Sequence, residues 1–308
     1  MDARDPLTKL AELGVRIGRC TELDALIGTA LDGLAELFDY EHSMLLVHDA
    51  PRRSLFTIAS RGYERAGIGS EVRLGEGVIG VAAEQRTPMR IGNLQRMLAY
   101  ARTVRRATEE HADGAPRTDI PLPGLASPQS QLAVPALVMG ELVGVLVVES
   151  ERAAAYGPDD EAVLTVAAAL VAEAIEVGEP GELGATPARD TERPSEHGPS
   201  THLRFYAVDG STFLDDEYVV KGVAGRVLWK LAYEHAMQHR DEFTNRELRL
   251  DPALELPEYR DNLESRLILL KRRLEERQAP IRIERSGRGR FRVVVAAHLT
   301  LERVDPDH

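Results

Sequence analysis

Apolar residues recur along this chain with more than one period, and each period marks a different kind of element. Leu7, Leu10, Leu13 and Ile17 keep helical spacing from Pro6 to about Cys20. Leu23, Leu26, Ile27, Ala30, Leu31, Leu34 and Leu37 mark a second helix, with Thr21 as its expected N-cap and Asp24 three positions on. Short runs at Ser43–His48, Leu55–Arg61, Val72–Leu74, Met89–Ile91, Leu132–Val138 and Leu142–Glu149 then read as strands. Helices are expected at Val78–Gln85 and Glu161–Val177, and the run from Leu132 to Glu149 is a hairpin with Gly140-Glu141 at its turn. A central antiparallel sheet flanked by helices follows, an α+β arrangement.

The pattern breaks at residues 179–202, where Pro, Gly, Ser, Thr and charge leave little to bury. This stretch is expected to be a disordered linker, and a flexible chain of that length spans roughly 25–30 Å. Periodicity resumes in Leu203–Val208 and Ser211–Leu214 around Asp209-Gly210, a hairpin signal, and in Glu217–Gly222. A helix is expected from Ala224 to about His239, and another at Phe243–Leu248, where Thr244 and Glu247 make a capping box. Leu263, Leu267, Leu270 and Leu274 form one helical stripe, with Ile268 and Leu269 on the opposite face. After a turn at Ala279-Pro280, Ile281–Glu284 and Phe291–Val294 alternate as strands joined by Gly287-Arg288-Gly289. The expected division is 1–178, the linker 179–202, 203–296, and an acidic tail at 297–308.

Composition narrows the class. With 43% hydrophobic residues in 308, the chain can bury ordinary cores, about two domains' worth. The single cysteine, Cys20, excludes an intrachain disulfide and a cysteine-based zinc site. No run approaches the ~20 apolar residues of a membrane span. The N-terminus lacks the apolar core of a secretory signal, so a cytoplasmic protein is expected, with no membrane partner. The net charge of −12 is unevenly held. Residues 1–202 carry all of it, whereas residues 260–292 hold eleven Lys and Arg against five acids, a local +6. Any nucleic-acid contact is therefore expected in the second half.

Arg61-Gly62-Tyr63, Leu74-Gly-Glu-Gly-Val-Ile-Gly80, Thr87-Pro88, Leu132-Ala-Val-Pro135 and Gly140-Glu-Leu-Val-Gly-Val-Leu-Val-Val-Glu149, in that order and spacing, resemble a GAF domain covering about Thr21 to Val177. The resemblance implies a six-stranded sheet, a pocket on one face for a small-molecule ligand, homodimerisation through the outer helices, and a sensory role more often than catalysis. Gly75, Gly77 and Gly80 serve turn geometry, or else open the N-terminus of the Val78 helix to an anion. The segment Leu94–Ser130, with Arg102, Arg105, Arg106, His111 and Asp113, is either a lid or a plain long loop. The cyclic-nucleotide signature of the family has no match, and the cysteines that a bilin or a sulfoxide reductase needs are missing from the domain. His42, His48 and His111 have spacings that suit no metal site. No catalytic or metal-ligating set emerges, and the ligand or cofactor remains unidentified.

Strands, three helices and a basic hairpin, with Leu270-Lys-Arg-Arg-Leu-Glu275 and Gly287-Arg-Gly-Arg-Phe291, resemble the winged helix-turn-helix DNA-binding domain of response-regulator transcription factors. The resemblance assigns Leu263–Leu274 as recognition helix and the hairpin as wing. Arg266, Lys271, Arg272, Arg273, Arg288 and Arg290 are then the candidates for phosphates and base edges, and Asn262 and Ser265 for base reading from the exposed side. The alternative is a non-enzymatic signalling scaffold, in which the apolar pair Ile268–Leu269 docks the winged helix on a protein partner.

Overall fold

The computed structural model describes residues 5–94, 120–177, 200–256, 263–287 and 289–305. The chain divides into two compact units, Met1–Glu176 and Val177–His308.

The first unit is built on one six-stranded antiparallel sheet. Its strands are β1 (His42–Asp49), β2 (Ser54–Arg61), β3 (Glu71–Arg73), β4 (Met89–Ile91), β5 (Ser130–Val138) and β6 (Glu141–Ser150), in the order β3-β2-β1-β6-β5-β4. Helices α1 (Pro6–Gly18) and α2 (Leu23–Phe38) pack on each other, and α2 lies on β1 and β2. The expected cap moves by one residue: Glu22, not Thr21, is the N-cap of α2, and its side chain makes no capping bond. Helix α3 (Gly77–Gln85) covers the other face over β5 and β6. Helix α4 (Pro158–Val177) follows β6 and places Leu170 against Gly14 of α1.

Alternation assigns the two faces of the central strands. Met44, Leu46, Ala133, Val145 and Val147 form one buried cluster with Val78, Ile79, Ala82 and Ala83 of α3. Leu132, Val134, Leu146 and Val148 are fully buried on the opposite side. At the β5–β6 hairpin Val138 pairs with Glu141, so Met139 and Gly140 form the turn, both with positive φ, and Glu141 already belongs to the strand. Gly144 and Gly80 answer a different demand. A Cβ on Gly144 would sit 2.2 Å from the Leu46 carbonyl oxygen, and one on Gly80 would sit 2.2 Å from that of Arg73. Close backbone approach thus accounts for Gly80, while Gly75 and Gly77 have the positive φ of turn geometry.

The second unit contains a sheet ordered β13-β7-β8-β9, from β7 (Ser200–Tyr206), β8 (Thr212–Leu214), β9 (Glu217–Val220) and β13 (His298–Val304). Helix α5 (Gly222–Gln238), strand β10 (Glu242–Thr244), helix α6 (Asn245–Arg249), a short 3-10 turn at Pro252–Leu254 and helix α7 (Leu263–Glu276) follow. Strands β11 (Ile281–Gly287) and β12 (Arg290–Val295) form a hairpin, and β10 adds to it on the β12 side. Two expected boundaries shift. Strand β7 begins at Ser200, inside the expected linker, of which 179–199 lie outside the described residues. The expected acidic tail is, from His298 to Val304, a strand paired in parallel with β7. Its Leu299 and Leu301 alternate with polar neighbours, and Glu302 meets Arg204 of β7 at 2.7 Å, so the acids there answer a basic neighbour.

Candidate functional site

The α3 face of the first sheet is apolar along most of its length and polar at one end. Glu149, two positions beyond Val147 on β6, points to this face, and the β-ladder sets Gln131 of β5 and His42 of β1 beside it. Glu149 is 5% exposed. Gln131 Nε2 donates to Glu149 Oε1 at 2.7 Å. Tyr63, just after β2, packs on the apolar cluster and tilts against His42 with ring centroids 5.5 Å apart. Its hydroxyl lies within hydrogen-bonding reach of the Glu149 carboxyl, and the Tyr63 hydroxyl and Glu149 Oε2 are both buried.

The electrostatics follow from burial. Desolvation pushes the Glu149 carboxyl above its ordinary value, against the pull of the Gln131 amide, the Leu125 backbone amide and the Tyr63 hydroxyl toward the charged form. Burial, with the nearby Glu149 charge, also drives Tyr63 far above the usual phenol range. Tyr156 is raised for the same reasons, and Tyr40 by burial and its 2.6 Å hydrogen bond to Asp160. The result is a buried polar end on an apolar floor, with Met44, Val147 and Ala133 buried and Ile91 and Met89 partly so.

This cluster was not singled out from the sequence. Tyr63 and Glu149 were read as motif residues and a strand end, and only cross-strand register brings them together. Arg102, Arg105, Arg106, His111 and Asp113 lie outside the described residues, as does the 95–119 part of the segment Leu94–Ser130 expected as lid or loop. Among the described residues, no group of three or more His, Cys, Asp or Glu could hold a metal, and no helix is long and apolar enough to cross a membrane.

In the second unit the expected DNA-facing residues separate. Helix α7 packs against α5, α6, β9 and β11, which buries most of its circumference. Ser265 is 1% exposed, so the expectation that it lies on the solvent side is overturned, and Arg266 is buried too. Arg273 is 6% exposed: its Nε donates to the Val219 carbonyl at 3.0 Å and Nη2 to that of Tyr218 at 3.4 Å, while Nη1 meets Glu276 at 2.7 Å. It ties α7 to β9 and has no face left for a nucleic acid. Ile268 and Leu269 are buried as well, so the apolar pair is no exposed docking patch. Lys271 and Arg272 are half-buried, and Asn262 and Arg288 fall outside the described residues.

Arg290 is exposed at the start of β12, and Arg282 and Arg285 are exposed on β11, Arg282 on a face it shares with Glu284 and Arg285 opposite Phe291, so the exposed cations of the hairpin were only partly foreseen. The Asn245 amide donates to the Gly289 carbonyl at 2.9 Å, fastening the start of α6 to the hairpin turn. Thr244 caps α6 as expected, with the Glu247 amide 3.1 Å from its Oγ1. Glu247 turns its carboxylate to Arg240. A separate cleft of about 330 Å3 beside α5 is walled by Phe205, Trp229 and Tyr233. Within it Arg226 pairs with Glu255 and Lys230 with Asp251.

A family model described as GAF domain matches residues 20–176. Among solved structures, the GAF domain of an Acinetobacter phosphoenolpyruvate-protein phosphotransferase is 18% identical over 54% of this chain and 90% of its own, with a TM-score of 0.44. Free methionine-R-sulfoxide reductase from Neisseria meningitidis, in complex with its substrate, is 18% identical over 56% of this chain and 92% of its own, with a TM-score of 0.43. A methyl-accepting chemotaxis protein fragment is 23% identical over 53% of this chain and 94% of its own, with a TM-score of 0.39. No curated protein matches the chain.

Proposed function

The chain belongs to the GAF domain family, and from that premise we propose that it is a ligand-responsive regulator whose second unit carries the response to DNA. The first unit senses a small molecule on the α3 face of its sheet. The observation that carries this part is the buried polar end of that face, where Gln131 and Tyr63 bear on the Glu149 carboxyl among apolar neighbours. The reading includes no catalytic step.

The DNA part rests on the basic hairpin. Arg282, Arg285 and Arg290 are exposed on β11 and β12, and the order of sheet, three helices and hairpin resembles a winged helix-turn-helix. The burial of Ser265, Arg266 and Arg273 moves the proposed contact away from α7 and onto the hairpin and the adjoining start of α6. The scaffold alternative, which needed an exposed Ile268–Leu269 pair, loses that surface.

Fluorescence anisotropy of a labelled duplex with the full chain, read over a salt series, tests the DNA part. Binding should be measurable at low salt, weaken steeply as salt rises, and drop on Arg282→Ala, Arg285→Ala and Arg290→Ala together. Absence of binding at low salt refutes it.

A further inference from the structure

We infer that the cleft beside α5 in the second unit is a ligand site of its own, one that takes an uncharged, flat aromatic molecule and stacks it on Trp229 and Tyr233. The inference goes beyond both parts of the proposed function and depends on neither.

The helix sets the wall. Trp229 and Tyr233 stand one turn apart on α5 and so share a face, with ring centroids 6.1 Å apart and planes tilted by 36°. Phe205 of β7 is buried and lies nearly parallel to Trp229 at 5.2 Å, which holds the indole in place. Tyr233 is 45% exposed, and Met237, one turn further along α5, is 59% exposed. Ala207, Ala253 and Leu254 complete the apolar lining, and about 330 Å3 stays open. That volume lies at the small end of ordinary ligand pockets, and open rings beside a concave space mark a place where something binds.

Charge selects against ions. Each cation of the lining already meets a carboxylate: Arg226 meets Glu255 at 2.8 Å, Lys230 meets Asp251 at 2.5 Å and also Glu234, and Arg303 meets Asp305 at 2.8 Å. The three carboxylates of the lining, Glu234, Asp251 and Glu255, are partners in these same pairs. An ion entering the cleft would lose hydration with no unpaired counter-charge to meet. A neutral molecule meets no such penalty. The rings select its shape, because offset stacking on an indole or phenol face is open to an aromatic ring and closed to a puckered one. Gln238 at the rim adds an uncharged amide that can donate or accept.

The test uses the full chain at neutral pH and four probes on one bicyclic skeleton, each substituted on the smaller ring: indanol, its saturated counterpart octahydroindenol, aminoindane as the ammonium ion, and indanecarboxylate. Trp229 is the single tryptophan, so its fluorescence reports the cleft, and titration calorimetry gives the affinities. Indanol should change the Trp229 emission saturably and bind at least roughly tenfold more tightly than either ion, and more tightly than the saturated alcohol. Tyr233→Ala, at an exposed position, should leave the fold intact and weaken indanol binding severalfold. Trp229→Leu should abolish it in calorimetry. If either ion binds as well as indanol, the charge argument fails and the assignment is overturned. Equal binding of the saturated alcohol removes stacking and overturns it too. If no probe binds, or if Tyr233→Ala alters only the association of the chain with itself, the cleft is a protein contact or plain surface and the inference falls. Should Trp229→Leu fold poorly, Tyr233→Ala and the ranking of the four probes on wild type still decide.

Discussion

At the residue scale, Glu149 makes this unit pH-sensitive in a definite direction. Its carboxyl holds a proton above the ordinary value of 4.5 because burial disfavours the charge. In the window that opens there, the folded chain binds more protons than the unfolded one, so stability falls as pH rises through the folded value. Glu149→Gln has no proton to lose. Wild type should therefore lose Tm relative to this variant as pH rises above 4.5, and a difference that is flat with pH refutes the assignment. Gly144 sets a steric limit on the same strand. An added methyl would meet the Leu46 carbonyl 2.2 Å away, where paired backbones cannot yield cheaply. Gly144→Ala should cost about 1–3 kcal/mol in urea denaturation, and a cost within experimental error would show that the β1–β6 pairing gives way.

At the element scale, α7 is a core helix with a basic sequence. Its leucine stripe accounts for one side, and β9, β11 and α6 cover much of the rest. Arg273 shows how a cation becomes structural, its guanidinium spanning two strand carbonyls and a carboxylate. Arg273→Ala leaves buried carbonyls unmet and should cost about 1–3 kcal/mol of stability. Arg290, exposed on the hairpin, should change stability by less than about 0.5 kcal/mol on replacement by Ala while weakening DNA binding. Chemical denaturation beside anisotropy separates the two roles. Equal loss of stability in both variants would contradict the distinction.

At the scale of the whole molecule, the charge is partitioned rather than balanced. The net −12 resides in residues 1–202, and the +6 of residues 260–292 is spent partly inside the second unit, on Arg266 and Arg273. The number of phosphates that the chain can neutralise is therefore smaller than the charge count suggests. If Arg282, Arg285 and Arg290 supply the contacts, the slope of log K against log salt should be near −0.9 per phosphate, about −3 in all. The triple alanine variant should flatten it, and a slope near −6 would mean that cations beyond the hairpin also take part.

Most of the fold was legible along the chain because the signals are local. Alternation marked all six strands of the first sheet, helical spacing marked α1, α2 and α7, and Thr244 announced the start of α6. The parallel strand β13 was missed because its partner β7 lies almost a hundred residues earlier, and a short run rich in charge carries no sign of pairing at that range. The orientation of α7 was misread because periodicity identifies one buried stripe and says nothing of a second. Ile268 and Leu269 were the visible hint that neighbours cover the other side. The sequence by itself determined the GAF family and the strand and helix order of the first unit, both of which depend on spacing between near neighbours. Only the tertiary structure decided which cations reach solvent and that Tyr63, Gln131 and Glu149 share one buried end, because burial and cross-strand contact are properties of packing between distant segments.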